Sequence, residues 1–180
     1  MKCKLSVIII SKSGRKWVNV GRRNNRRFAL ISEVEHMFFG QYEHNIDGKG
    51  RLTIPAPYRD LLEGGAYITI GFDENLIVMP SSKFNQLLSN LEHLSLTNTQ
   101  VRKLSRMLFG NAAMLEIDKV GRILIPQFLR DAIHLNSQVK VVGNGHYFEL
   151  WAPERWFEEK KMIEDEAVRA NMFKDIILTL

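Results

Sequence analysis

The chain has 180 residues and a formal net charge of +5, with 25 Lys and Arg against 20 Asp and Glu. That length can bury a substantial core, as one large domain or two small ones. No apolar run approaches the roughly 18 residues of a membrane helix, so a soluble protein is expected, and the one cysteine, Cys3, cannot form an internal disulfide, which fits a reducing cytoplasm.

The basic excess is local. Residues 1–36 hold nine Lys or Arg against Glu33 and Glu35, a net +7, which leaves residues 37–180 at −2. The apolar run at 5–10 is too short for a secretory signal, and no small-residue cleavage site follows it. Residues 1–36 read as a basic N-terminal extension, either disordered or an artefact of a start codon placed too early. The functional alternative is a basic arm that adds non-specific phosphate contacts.

From Met37 the character changes. Phe38, Tyr42 and Ile46 form an aromatic and apolar leading strand, followed by the turn Asp47-Gly48-Lys49-Gly50-Arg51. Its glycines permit the positive φ values of tight turns. Leu52-Thr53-Ile54 alternates as a half-buried strand does. Pro55 and Pro57 open a short helix stopped by Gly64-Gly65, and a hairpin is expected around Asp73-Glu74-Asn75. Ser81-Ser82 then caps a helix whose Phe84, Leu87, Leu88, Leu91 and Leu94 make one apolar stripe. A second linking helix buries Val101, Leu104 and Leu108.

The same text then returns. Ile117-Asp118-Lys119-Val120-Gly121-Arg122-Ile123-Leu124-Ile125-Pro126 repeats the stretch from Ile46 to Pro55 at a constant shift of 71 residues. Arg59-Asp60 falls on Arg130-Asp131 at that shift, and Pro80 aligns with Pro153 after a two-residue insertion. Two copies in one chain point to a pseudo-twofold domain rather than a solenoid, which needs three or more units. The expected organisation is a first repeat at 37–83, a helical linker at 84–110, a second repeat at 111–156 and a helical tail at 157–180. That tail is expected as one mixed-charge helix from Glu154 towards Arg169. The apolar residues 173–178 would either pack on a neighbour or fray.

An aspartate at the start of a tight turn can accept the turn's own amides. It can also hold an arginine four residues on by charge-assisted hydrogen bonds, which aims the guanidinium. An arginine so aimed, at the tip of a two-stranded element, suits a phosphate or the O6/N7 edge of guanine. Lys49 and Lys119 would add charge beside Arg51 and Arg122. The plainer reading is an exposed ion pair that closes a hairpin, contributing up to about 1 kcal/mol. Repetition favours a shared fold more strongly than it favours DNA binding.

At these residues the sequence resembles the MraZ family of bacterial transcriptional regulators, within the swapped-hairpin AbrB-like group. The resemblance spans Met37 to about Glu164 and is carried by Met37-Phe38-x-Gly40, the two Asp-x-x-Gly-Arg-x-x-Ile-Pro-like cores and Leu108-Phe109-Gly110-Asn111-Ala112. It implies an α+β, mainly β fold: a double-split (swapped-hairpin) β-barrel from two internal repeats, with linking and C-terminal helices. It also implies subunits joined in a ring, in the cytoplasm and on the nucleoid. Such proteins bind double-stranded DNA at short direct repeats upstream of a division and cell-wall gene cluster that begins with their own gene. Carried over by residue, Asp47, Lys49 and Arg51 match the first motif and Asp118 and Arg122 the second, with Arg51 the main contact and Asp47 orienting it. The resemblance makes Met37 the usual start.

Two rival classes remain. One is a hydrolase or transferase, but the chain has no G-x-S-x-G elbow, no P-loop and no H-E-x-x-H motif. The five histidines lack metal-ligand spacing, so no catalytic residue, metal or cofactor is expected. The other rival is an AbrB-like interaction or antitoxin-type protein whose Asp–Arg turns are purely structural.

Overall fold

The structure, a computed structural model, describes residues 7–11, 14–18 and 37–174. The chain divides into two units, residues 1–36 and 37–180. In the first, β1 (Val7–Ser11) and β2 (Gly14–Val18) form an antiparallel ladder. What was expected of the extension as a whole otherwise lies outside the described residues, as does the apolar end beyond 174.

The second unit is α+β, with antiparallel pairing throughout its sheets. Its strands in the first repeat are β3 (Gln41–Asn45), β4 (Arg51–Thr53), β5 (Ala66–Ile70) and β6 (Leu76–Pro80). Those in the second are β7 (Ala113–Leu115), β8 (Arg122–Leu124), β9 (Gln138–Gly143) and β10 (Phe148–Trp151). The hairpins β5–β6 and β9–β10 lie side by side in one six-stranded sheet of order β3-β9-β10-β6-β5-β7. The leading strand of each repeat therefore sits on the other repeat's hairpin: β3 on β9, and β7 on β5. Strands β4 and β8 form a separate two-stranded ladder with Leu52 opposite Ile123 at its centre. No sheet closes on itself among the described residues.

The exchange follows from where the apolar side chains fall. The short helices α1 (Ala56–Arg59), with its 3-10 extension Asp60–Leu62, and α4 (Gln127–Ala132) follow the two ribbon strands, each behind a proline. Leu52, Ile54, Tyr58 and Leu62 from one copy and Ile123, Ile125, Leu129 and Ile133 from the other meet in a single core. The sheet supplies Ile68, Leu76, Val78, Val141, Phe148 and Leu150 to it. Neither copy could bury these residues alone.

The opposite sheet face is also covered, so β6 is apolar at consecutive positions rather than alternating. Ile77 and Met79 pack with Phe84 of α2 (Ser81–Glu92), while Val142 and Trp151 pack with Trp156 of α5 (Pro153–Glu164). Between the repeats, α3 (Thr99–Phe109) starts at Asn98, whose side chain accepts the Gln100 N–H at 2.8 Å. Of its expected apolar face only Leu108 is buried, Val101 and Leu104 being half-buried, and the Leu108 carbonyl accepts the buried Thr69 hydroxyl.

Three expectations need correcting. The α2 stripe is only half used: Phe84 and Leu91 are buried, but Leu88 is exposed, and Leu94 is exposed beyond the end of the helix at Glu92. That helix begins at Ser81 behind Pro80, with no side-chain cap. The helix after Pro153 is two helices, α5 and α6 (Glu166–Met172), because Asp165 turns its carboxylate onto the amides of Ala167 and Val168 and starts a new one. Among the described residues no helix is long and apolar enough to cross a membrane.

A core shared by both copies should unfold as one. Leu52→Ala is expected to cost about 2–5 kcal/mol in urea denaturation followed by fluorescence and circular dichroism, with one coincident transition. Separate transitions for the two repeats would contradict the shared core.

Candidate nucleic-acid interface

The β4–β8 ribbon has an Asp-initiated turn at each end, and the two turns are built alike. In the first, Gly50 N–H donates to the Asp47 carbonyl at 2.8 Å and Asp47 N–H to the Arg51 carbonyl at 2.9 Å. Gly50 has φ +81°, as does its counterpart Gly121, and a side chain in that region would strain the backbone. The Asp47 carboxylate fills the turn. Its Oδ1 accepts the amides of Lys49 and Arg51, both at 2.9 Å. Its Oδ2 accepts Arg51 Nε and Nη2, both at 2.7 Å.

The second turn repeats every bond. Asp118 Oδ1 accepts the amides of Val120 and Arg122 at 3.0 and 2.9 Å, and Oδ2 accepts Arg122 Nε and Nη2 at 2.8 and 2.7 Å. Both pairs are about one-third exposed. Each carboxylate thus has four donors, while its arginine keeps the far edge of the guanidinium available. The side-chain bond from Arg51, then its amide, holds the Asp47 carboxyl down at about 2. Asp118 is lowered in the same way by Arg122.

Strand pleat decides where these groups point. Leu52 and Ile123 face the core, so Arg51 and Thr53 of β4 and Arg122 and Leu124 of β8 share the outer face. The ribbon therefore brings together the two arginines that the sequence separates by 71 residues. The two lysines are not equivalent. Lys49 is exposed in the third place of its turn, where the second copy has exposed Val120, and Lys119 is exposed one place earlier.

Two arginines escaped the sequence-based site. Arg59 Nε donates to the Ile54 carbonyl at 3.0 Å, and Arg130 Nε to the Ile125 carbonyl at 3.2 Å. Each then lies over the glycine of the other copy's turn. A Cβ on Gly121 would stand 2.6 Å from Arg59 Nε, and one on Gly50 would stand 2.8 Å from Arg130 Nη2. Among the described residues neither forms an ion pair with a carboxylate. Burial, then the Arg59 charge, holds the His44 imidazole below its ordinary value. The Arg-Asp pair was visible in both copies, but its reach into the opposite turn depends on strand exchange. The positive charge at each turn is thus greater than the near-neutral unit suggests. Among the described residues no three His, Cys, Asp or Glu side chains gather as a metal site requires.

Comparison with known proteins places both turns in one family. A family model described as "MraZ protein, putative antitoxin-like" matches the chain twice, over residues 37–107 and 108–176. The chain is 48% identical over 120 residues to a protein of Roseiflexus sp. (strain RS-1) named Transcriptional regulator MraZ, covering 67% of this chain and 84% of that one. It is 40% identical over 131 residues to one of Herpetosiphon aurantiacus bearing the same name, covering 73% and 92%. With one of Dictyoglomus thermophilum, again of that name, the identity is 38% over 136 residues, covering 76% and 91%.

The lowered Asp47 carboxyl sets a pH window. Its folded value of about 2 lies below the unfolded value of about 3.9, so its contribution is complete above the unfolded value and is lost as pH falls through the folded one. Asp47→Asn should melt at a lower temperature than the parent at neutral pH, with the difference shrinking between about pH 4 and 2. A difference that does not change with pH would contradict this role for the carboxylate.

Proposed function

The chain belongs to the MraZ family, and from that premise we propose that it is a sequence-specific DNA-binding transcriptional regulator that meets the duplex with the outer face of the β4–β8 ribbon. The observation that carries the reading is the pair of carboxylate-held arginines, Arg51 and Arg122, on one face of a two-stranded element. A β-ribbon can enter the major groove, and arginines whose direction is fixed lose little freedom on binding a guanine edge or a phosphate. The names of the relatives, each a transcriptional regulator, support the same reading.

In this proposal Arg51 is the main contact and Asp47 orients it. Arg122, Asp118, Lys49 and Lys119 complete the interface, and Arg59 and Arg130 reinforce its charge. The exchange of β3 and β7 between hairpins supports assignment to the swapped-hairpin, double-split barrel group. The targets are short direct repeats upstream of a division and cell-wall gene cluster that includes the protein's own promoter. Subunits joined in a ring would present several ribbons at once. Linked contacts raise the effective concentration of each next one, so a unit of −2 charge can still bind repeated sites tightly. The protein then works in the cytoplasm, on the nucleoid.

The second reading, prompted by the antitoxin-like description of the family model, makes the turns structural and gives the protein a protein partner. Footprinting on DNA from upstream of the gene separates the two. The parent should protect regularly spaced boxes, and Arg51→Ala should lose that protection while its oligomeric mass by sedimentation stays unchanged. Protection retained by Arg51→Ala would refute the assignment.

A further inference from the structure

The outer face of the ribbon carries one side chain that charge does not explain. Arg51 stands opposite Leu124, and Thr53 opposite Arg122. The flanking bonds run from Ile125 N–H to the Gly50 carbonyl and from Ile54 N–H to the Gly121 carbonyl, both at 2.9 Å. Bonding alternates along an antiparallel ladder, so the two pairs between are of the non-hydrogen-bonded kind, whose side chains lie closest. Leu124 is 56% exposed, whereas its neighbour Ile123 is fully buried. The pleat gives Leu124 no route to the core, since moving it inward would expel Ile123. Leu124 lies open on the ribbon face, lining a shallow groove with Arg51 and Met114, and the first repeat places Thr53 at the same position.

We infer that Leu124 is a specificity-determining residue that contacts the C5-methyl group of a thymine beside the site held by Arg51, an inference that rests on the DNA-binding reading. Leu124 lies across from one arginine and two residues from the other on the same strand. A duplex touched by both Arg51 and Arg122 must therefore also press on Leu124. Against phosphates the leucine would strip water from charged oxygens and gain nothing. In the major groove it meets the thymine methyl, the feature apolar side chains use to recognise that base.

The same substitution orients the protein. Arg51 with Thr53 on one strand differs from Arg122 with Leu124 on the other, and Lys49 differs from Val120 in the turns. The pseudo-twofold of the backbone is thereby broken at the reading surface. Each subunit has one preferred direction on its site, which suits direct repeats rather than palindromes.

The test uses the full chain and the duplex defined by footprinting, with each thymine replaced singly by deoxyuridine, which removes only the methyl group. Fluorescence anisotropy should show the parent losing about three- to fivefold in affinity at one thymine, the size expected for one methyl contact. Leu124→Ala should bind thymine and deoxyuridine equally there, and Leu124→Met should restore the preference. An unchanged methyl effect in Leu124→Ala, or no methyl effect at any thymine, overturns the inference. So does a Leu124→Ala protein whose oligomeric mass changes while its methyl sensitivity does not, since the leucine would then belong to a contact between copies. Binding that does not depend on Arg51 would remove the DNA-reading ribbon itself, whereas Arg51-dependent binding without a methyl effect removes only the role of Leu124.

Discussion

Inside each turn of the ribbon one carboxylate accepts four hydrogen bonds, two from backbone amides and two from a single arginine. The amide bonds shape the turn, and the guanidinium bonds aim the arginine, so local structure and the candidate site rest on one side chain. Removing the aspartate would leave amides without their acceptor and an arginine free to swing. The glycine at φ +81° serves the same turn from the backbone side. It lets the chain reverse and leaves room for an arginine from the other repeat.

Strand exchange turns this local motif into a surface. If each repeat folded on its own hairpin, Arg51 and Arg122 would belong to separate bodies. Because β4 pairs with β8, and each leading strand crosses to the other hairpin, both turns are fixed on one ladder above one core. The core residues Leu52 and Ile123 therefore hold up the surface by packing beneath it. Duplication also allowed the copies to diverge where packing does not constrain them. The inward positions of the ribbon are apolar in both repeats and the outward arginines are kept, while the outward and turn positions beside them differ, with Thr53 against Leu124 and Lys49 against Val120.

Much of this could be read from the residues. The 71-residue shift revealed the duplication, glycine spacing placed the turns, and the β5–β6 hairpin fell where Asp73-Glu74-Asn75 put it, because these signals are local. The pairing of strands is not local, and the sequence alone did not say that β3 belongs with β9 rather than with its own hairpin. Arg59 and Arg130 were missed for that reason, since they act on the opposite copy's turn. The α2 stripe is only partly borne out because periodicity shows which side chains share a helix face, but not how much of that face is covered, nor that the helix stops at Glu92 before Leu94. Asp165 looked like one more charge in a mixed-charge helix, yet its carboxylate competes for backbone amides and breaks the helix.

The central claim is that the ribbon face, through its arginines, recognises DNA by sequence as well as by charge. The most direct measurement is the affinity of the full chain for duplex from upstream of its own gene and for a scrambled duplex, across a range of salt concentrations. The account predicts affinity that falls steeply with salt together with a preference for the native duplex that persists at every salt concentration. Equal affinity for native and scrambled DNA throughout would contradict it, and would leave the Asp–Arg turns as elements of the fold alone.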